Sequence, residues 1–117
     1  MQALGDLLQK RTIMGSELER LLEAREAKLL DFGLIDVREK HEHNFRYIEG
    51  TDYLLPFNSF YPKVKKLAIE RAYILYCGNG SRSAMACDTM RDAGFTSASN
   101  LANGILCYGG KMFVRDS

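Results

Sequence analysis

Ala72-Tyr73-Ile74-Leu75-Tyr76-Cys77-Gly78-Asn79-Gly80-Ser81-Arg82-Ser83 is the stretch that decides the fold. Ala72 to Tyr76 is the strongest strand signal in the chain, apolar throughout and bounded by a glycine turn. From Ser81 to Ala93 the pattern is helical, and Gly94 closes it. A buried strand that runs through a glycine-bearing turn into a helix is one unit of an open α/β sheet.

The flanking sequence repeats that alternation. Thr12 to Met14 reads as a short strand broken by Gly15, and Ser16 to Glu19 as a capping box with Ser16 as cap. Leu18, Leu21, Leu22, Leu29 and Leu30 share one face of the helix that follows. Leu34 to Val37 reads as a buried strand, Glu39 to Phe45 as a short charged helix, and Tyr53 to Leu55 as a strand stopped by Pro56. Asn58 to Glu70 has helical spacing, with Pro62 suited to its first turn. Ala98 to Leu101 is a last strand, and Gly104 to Phe113 a final helix interrupted at Gly109-Gly110. The expected architecture is a three-layer α/β/α sandwich on a mostly parallel central sheet of about five strands. It occupies one domain, 1–117, with 1–11 as a lead-in segment. Ligands of such sheets bind beyond the carboxyl ends of the strands, here after Val37, Leu55, Tyr76 and Leu101.

Composition narrows the function. The chain has 117 residues, 46% apolar and 26% charged, enough for one packed core without staples. Sixteen basic against fifteen acidic side chains leave +1, which makes no electrostatic case for nucleic acid or an anionic membrane. Met1 to Lys10 lacks a basic start followed by an apolar run, and no stretch approaches the roughly 18 apolar residues of a membrane span. A soluble, cytoplasmic protein is the expectation. Cys77, Cys87 and Cys107 are odd in number and contain no CxxC pair, so neither a disulfide framework nor a zinc knuckle is expected.

The chemistry points to Cys77. Gly78 and Gly80 let the backbone curl so that successive amides point inward as an anion-binding nest. The helix start near Ser81 adds its dipole, Arg82 a cation, and Ser81 and Ser83 hydroxyl donors. A thiol at the first position of such a bowl has a lowered pKa and is a nucleophile at neutral pH. Other phosphate motifs fit poorly. Ser83 stands where a dinucleotide fingerprint has its third glycine, and no GxxxxGK[ST] occurs. Four residues separate Cys77 from Arg82, one fewer than in tyrosine phosphatase loops.

The six-residue loop Cys77 to Arg82 resembles the active-site loop of rhodanese-like sulfurtransferases. Leu34 to Glu39 is similar to that family's Asp-Val-Arg signature, and Arg46 to Thr51 stands in the place of its Gly-His-Ile-Pro-Gly-Ala turn. Asp92 to Phe95 looks like the end of the helix after the loop, and Asn100 to Ile105 like its C-terminal strand and glycine turn. The resemblance covers roughly residues 12 to 110. It implies that Cys77 takes sulfane sulfur from thiosulfate, polysulfide or a protein persulfide, and passes it from a persulfide to a thiophilic acceptor. Gly78, Asn79, Gly80, Ser81, Arg82 and Ser83 would line the anion-binding loop. A small sulfur-containing anion would be the substrate and a protein or small thiol the acceptor, with no cofactor and no metal. Tyr47 and Glu49 replace the usual His and Pro, Tyr108 the usual Trp, and Gly78 a frequent Arg. With Arg82 as the loop's one cation, the expected donor is one less charged than thiosulfate, such as a polysulfide or another protein's persulfide. Alternatives are a persulfide relay module with little free turnover, a phosphatase or arsenate-reductase-like anion enzyme on the same fold, and a non-catalytic interaction domain, against which Cys77 itself argues.

Asp36 and Arg38 read as support for the loop through hydrogen bonds rather than as substrate contacts, because a carboxylate beside a thiolate opposes its ionisation. Cys87 reads as a packed helix residue rather than a resolving thiol, and Cys107 as a turn residue near the binding wall. His41 and His43 read as a solvated pair. Tyr47, Phe57 and Phe60 are candidates for either the pocket rim or the core. Lys63, Lys65, Lys66 and Arg71 read as a solvated face.

Overall fold

The structure is a computed structural model that describes residues 4–115. In chain order its elements are β1 (Thr12–Ile13), α1 (Gly15–Glu26), β2 (Gly33–Asp36), α2 (Lys40–Phe45), β3 (Arg46–Ile48), β4 (Tyr53–Leu54), α3 (Phe60–Val64), β5 (Tyr73–Tyr76), α4 (Ser81–Asp92), β6 (Ala98–Leu101) and β7 (Met112–Val114). Single 3-10 segments cover Leu4–Gln9, Phe57–Ser59 and Ile105–Cys107.

Five strands form one sheet in the order β1-β6-β5-β2-β4, and each neighbouring pair is parallel. β5 lies at its centre, so its residues are covered on both faces. The two-residue period of a strand then sorts them between two cores. Ile74 and Tyr76 join Leu18, Leu21, Leu34 and Leu101 on the α1 side. Tyr73, Leu75 and Cys77 join Phe60, Val64, Ala86, Cys87 and Met90 on the side of α3 and α4. This is the three-layer α/β/α arrangement read from the alternation, with the thiol on the α4 face.

Three local readings are corrected. α1 starts at Gly15, with Met14 rather than Ser16 at the N-cap position. Glu17, not Glu19, reaches back, accepting from the Met14 amide at 2.9 Å while Lys10 grips it at 3.0 Å. β1 ends at Ile13, and the amide just beyond it, that of Met14, is the one Glu17 accepts from. α3 stops at Val64, well short of Glu70. Amides of Lys66 and Leu67 bond three residues back, to Lys63 and Val64 at 3.2 and 3.0 Å, and this tighter turn returns Leu67 to the α4-side core. The final helix is a single 3-10 turn that ends at Cys107, where Tyr108 is already extended, and the chain then enters β7, which pairs antiparallel with β3. The alternating pattern had no place for this second, two-stranded ribbon. Its side chains explain it: Phe113 stacks on Tyr47 at 5.0 Å, and Tyr47 on His43 at 4.4 Å.

The Arg46–Thr51 turn hangs on the central strand. The Tyr76 hydroxyl accepts from the Ile48 amide at 3.2 Å and meets Thr51 Oγ1 at 2.8 Å, and Thr51 donates to the Ile48 carbonyl at 2.6 Å. Among the described residues no helix is long and apolar enough to cross a membrane.

Candidate active site

β5 delivers Cys77 fully buried, with its thiol on the α4 side. The next residues turn through Gly80, whose φ of +102° lies in the left-handed region that glycine occupies without strain. That twist aims the Gly80 amide back at Cys77 Sγ, 3.1 Å away. The first turn of α4 brings the Ser83 amide to 3.5 Å and the Ser83 hydroxyl to 3.4 Å of the same sulfur. Burial pushes the thiol up. The Ser83 hydroxyl and the amides of Ser83, Gly80 and Arg82 outweigh it, and the thiol lies below the ordinary cysteine value.

An amide cradle needs its carbonyls turned away. The Cys77 carbonyl accepts from the Ile105 amide at 2.9 Å and the Gly78 carbonyl from Leu106 at 3.1 Å. The Gly80 carbonyl accepts from Ala84 at 3.1 Å and from Asn100 Nδ2 at 3.2 Å. Asn100 Oδ1 lies 2.5 Å from Ser83 Oγ, so one hydroxyl proton serves two acceptors, the thiol and the amide oxygen. Asn100 and the Gly104 turn therefore frame the loop from β6. Their positions in the C-terminal signature were legible, but not this role, which depends on β6 lying beside β5.

The other loop residues divide. Asn79 Oδ1 accepts from the Ser81 amide at 3.0 Å and from its hydroxyl at 2.8 Å, so these two exposed side chains bond each other at the start of α4 instead of bonding the sulfur. Arg82 is not an uncommitted cation. Both its terminal nitrogens bind Glu42, at 2.9 and 3.1 Å, and its guanidinium would be 3.6 Å from a Cβ built on Gly78. The Arg82 guanidinium holds the Glu42 carboxyl far below its usual range, at about 2. Glu42 also accepts from the Glu39 amide at 2.9 Å, which fixes it at the start of α2. A glutamate three residues into a short charged helix carried that capping signal in the sequence; its reach to Arg82 did not show.

Asp36 and Arg38 form a separate buried cluster. Asp36 accepts from the Arg38 amide, Nε and Nη2 at 2.9, 3.0 and 2.8 Å, and lies 2.9 Å from His43 Nδ1. Arg38 donates onward to the Arg46 carbonyl at 2.6 Å. Asp36 is level with Tyr76 across the sheet, on the face opposite the thiol. The cluster binds β2 to α2 and β3, and the Arg38 guanidinium lies 5.6 Å from the centre of the Tyr76 ring, one residue before Cys77. His43 is thus a packed partner rather than a solvated residue, while His41 is exposed. Phe60 is core, Phe57 packs against it, and Tyr108 packs in the α1-side core. Arg71 leaves the solvated lysine face by pairing with Asp31 at 2.8 and 2.9 Å.

Cys87 is buried against the sheet, and burial pushes its thiol up to about 12, whereas Cys107 is exposed. Because Cys77 is fully covered, absolute labelling speed is a poor gauge of its ionisation. The pH profile is the better one. Alkylation of Cys77 by iodoacetamide will rise with pH to a plateau whose midpoint lies below that of free cysteine, and native Cys87 will remain unlabelled. Peptide-resolved rates across pH check this; a Cys77 midpoint at or above the free-thiol value would contradict the cradle.

A sequence model described as Rhodanese-like domain matches residues 15–109. The chain is 34% identical over 79 residues to "Uncharacterized protein YqhL" of Bacillus subtilis, covering 68% of this chain and 62% of that protein. It is 38% identical over 82 residues to "Probable adenylyltransferase/sulfurtransferase MoeZ" of Mycobacterium tuberculosis, covering 68% of this chain but only 20% of that protein. The chain thus spans less than two-thirds of either relative. The solution structure of the rhodanese-like domain of the Anabaena sp. Alr3790 protein superposes with a TM-score of 0.77 at 21% identity, over 91% of this chain and 80% of that one. The crystal structure of a rhodanese-related protein from Thermoplasma volcanium gives 0.76 at 24%, over 91% of this chain and all of that one. The match runs from the entry of α1 to the turn beyond the Gly104 bend and includes the whole cradle, and this chain belongs to the rhodanese-like domain family.

Proposed function

We propose that this chain is a rhodanese-type sulfurtransferase, which moves a sulfane sulfur from a donor to a thiophilic acceptor through a persulfide on Cys77. One observation carries the reading: Cys77 Sγ is a buried sulfur held by three hydrogen bonds, from Gly80 N, Ser83 N and Ser83 Oγ. Donors converging on a sulfur stabilise it as an anion, both as the attacking thiolate and as the terminal sulfur of a persulfide. In the first half-reaction the thiolate attacks the donor's outer sulfur, the new S–S bond forms, and the donor's own S–S bond breaks with its electron pair on the leaving group. In the second, an acceptor nucleophile takes the outer sulfur and Cys77 leaves as thiolate. Two half-reactions on one nucleophile give ping-pong kinetics.

Intact mass of the native protein tests this. Treatment with thiosulfate, polysulfide or an organic persulfide adds the mass of one sulfur atom, and cyanide removes it as thiocyanate. Folded protein that gains no sulfur from any of the three donors would overturn the reading.

A further inference from the structure

A groove of about 450 Å³ runs along α1, on the face of the sheet away from the Cys77 thiol. Leu22 and Tyr108, which belong to the α1-side core, give it an apolar floor. Its walls are acidic, with Glu19, Glu23 and Glu26 from α1 and Glu49 from the turn after β3. Among the described residues none of these four carboxylates joins an ion pair. Arg25, which also lines the groove, is committed to Asp52 and to the carbonyls of Gly50 and Phe32. Lys111 offsets one carboxylate, so the groove is strongly negative on a chain whose net charge is +1. The three α1 carboxylates are four and three residues apart and repel one another, and Glu23 and Glu26 stand near the helix end where negative charge is least favourable.

Tyr108 opens into the same groove. It is nine-tenths buried, yet its hydroxyl has no hydrogen-bond partner among the described residues. No fully enclosed side-chain oxygen or nitrogen among them lacks a partner, so this hydroxyl is open to the groove rather than sealed in the core. It lies with Glu19 beside Gly110, where an added Cβ would collide with both. Burial and the Glu19 charge push the phenol up to about 12, so at neutral pH it is an uncharged hydroxyl with a lone pair to offer.

The distribution of charge selects the ligand. Among the described residues no three acidic side chains converge as a metal site, so the negative charge is spread along the groove rather than focused on a point cation. Carboxylates one helical turn apart, about 5–6 Å, match ammonium groups separated by three or four methylenes. The apolar floor would cover those methylenes. We propose that this groove binds a linear aliphatic polyamine, whose ammonium groups pair with Glu19, Glu23 and Glu26 in series while one of them donates to the Tyr108 hydroxyl.

Calorimetric titration of the full chain with spermidine, at fixed ionic strength and with magnesium chloride as the point-cation control, tests this. The wild type binds spermidine and binds magnesium more weakly. Tyr108→Phe, which removes only the hydroxyl, weakens spermidine about tenfold through loss of a charge-assisted hydrogen bond. Glu19→Gln combined with Glu23→Gln weakens it by about tenfold as well. Glu70→Gln, an exposed carboxylate outside the groove, binds as the wild type does. Thermal unfolding midpoints on the same preparations show that each variant is folded. No heat of binding in the wild type at millimolar spermidine overturns the proposal. So does equal affinity in the wild type, Tyr108→Phe and the doubly substituted variant, or magnesium binding as tight as spermidine.

Discussion

Cys77→Ser will gain no sulfur from thiosulfate, polysulfide or an organic persulfide, and thiocyanate formation will fall by roughly 10³-fold or more. The expectation follows from what the cradle can and cannot do. Three donors stabilise a thiolate because a buried thiol titrates near enough to neutrality for them to matter. A serine hydroxyl lies so far above neutral pH that the same donors leave it protonated, and oxygen offers no stable link to sulfane sulfur. The substitution is nearly isosteric, and its hydroxyl can accept from Gly80 N and Ser83 N, so the fold should survive. Intact mass and a thermal unfolding midpoint, read on the same preparation, separate lost chemistry from lost structure. A folded Cys77→Ser that still loads one sulfur would place the carrier elsewhere, with exposed Cys107 the first thiol to examine.

Gly104→Ala should be the most damaging small substitution near the site. Gly104 has φ +63° and ψ −162°, a conformation essentially reserved for glycine. An added Cβ would lie 2.3 Å from the Gly78 carbonyl oxygen and 2.5 Å from that of Cys77. Both obstacles are backbone, so no side-chain rotation relieves them. Relief requires moving the loop off the Ile105 and Leu106 amides that bind those two carbonyls. Strain of about 1–3 kcal/mol for the dihedral alone, with loss of two buried hydrogen bonds at about 1 kcal/mol each, gives roughly 3–5 kcal/mol. Denaturant unfolding should show that loss, and the Cys77 alkylation midpoint should move toward the free-thiol value as the carbonyls swing inward. Gly109→Ala is the control, because nothing lies within 4 Å of its built Cβ. Equal stability and equal thiol behaviour in the two variants would refute the claim that the Gly104 bend seats the loop.

Reading the chain as a sequence recovered what short-range chemistry encodes. Ala72 to Tyr76 read as the strongest strand, of which Tyr73 to Tyr76 is β5, and of the two glycines read as letting the loop curl, Gly80 makes the left-handed turn before α4. The misplaced start of α1 has a tertiary cause. Glu17 won the cap from Ser16 and Glu19 because β1 pairs with β6 and stops at Ile13. β3 and β7 went unread because they pair only with each other, across more than sixty residues of chain, outside the strand–helix alternation.

The sequence by itself determined the layered α/β fold, since alternating strands and helices with two-sided apolar strands have few other ways to bury their surface. It also singled out Cys77 as the candidate nucleophile, since Cys, two Gly and two Ser occur there within seven consecutive residues. Only the tertiary structure decided what those residues face. Ser83 reaches the sulfur while Ser81 turns to Asn79, because two residues along a helix rotate the hydroxyls by about 200°, onto opposite faces. Asn100 and Gly104 join the loop because β6 lies beside β5, a parallel pairing across a helical crossover. Arg82 is neutralised because α2 approaches the mouth from another part of the chain, forty residues away. Charge and hydrogen bonding act through space over a few ångströms, and only the folded chain sets which groups fall within that distance.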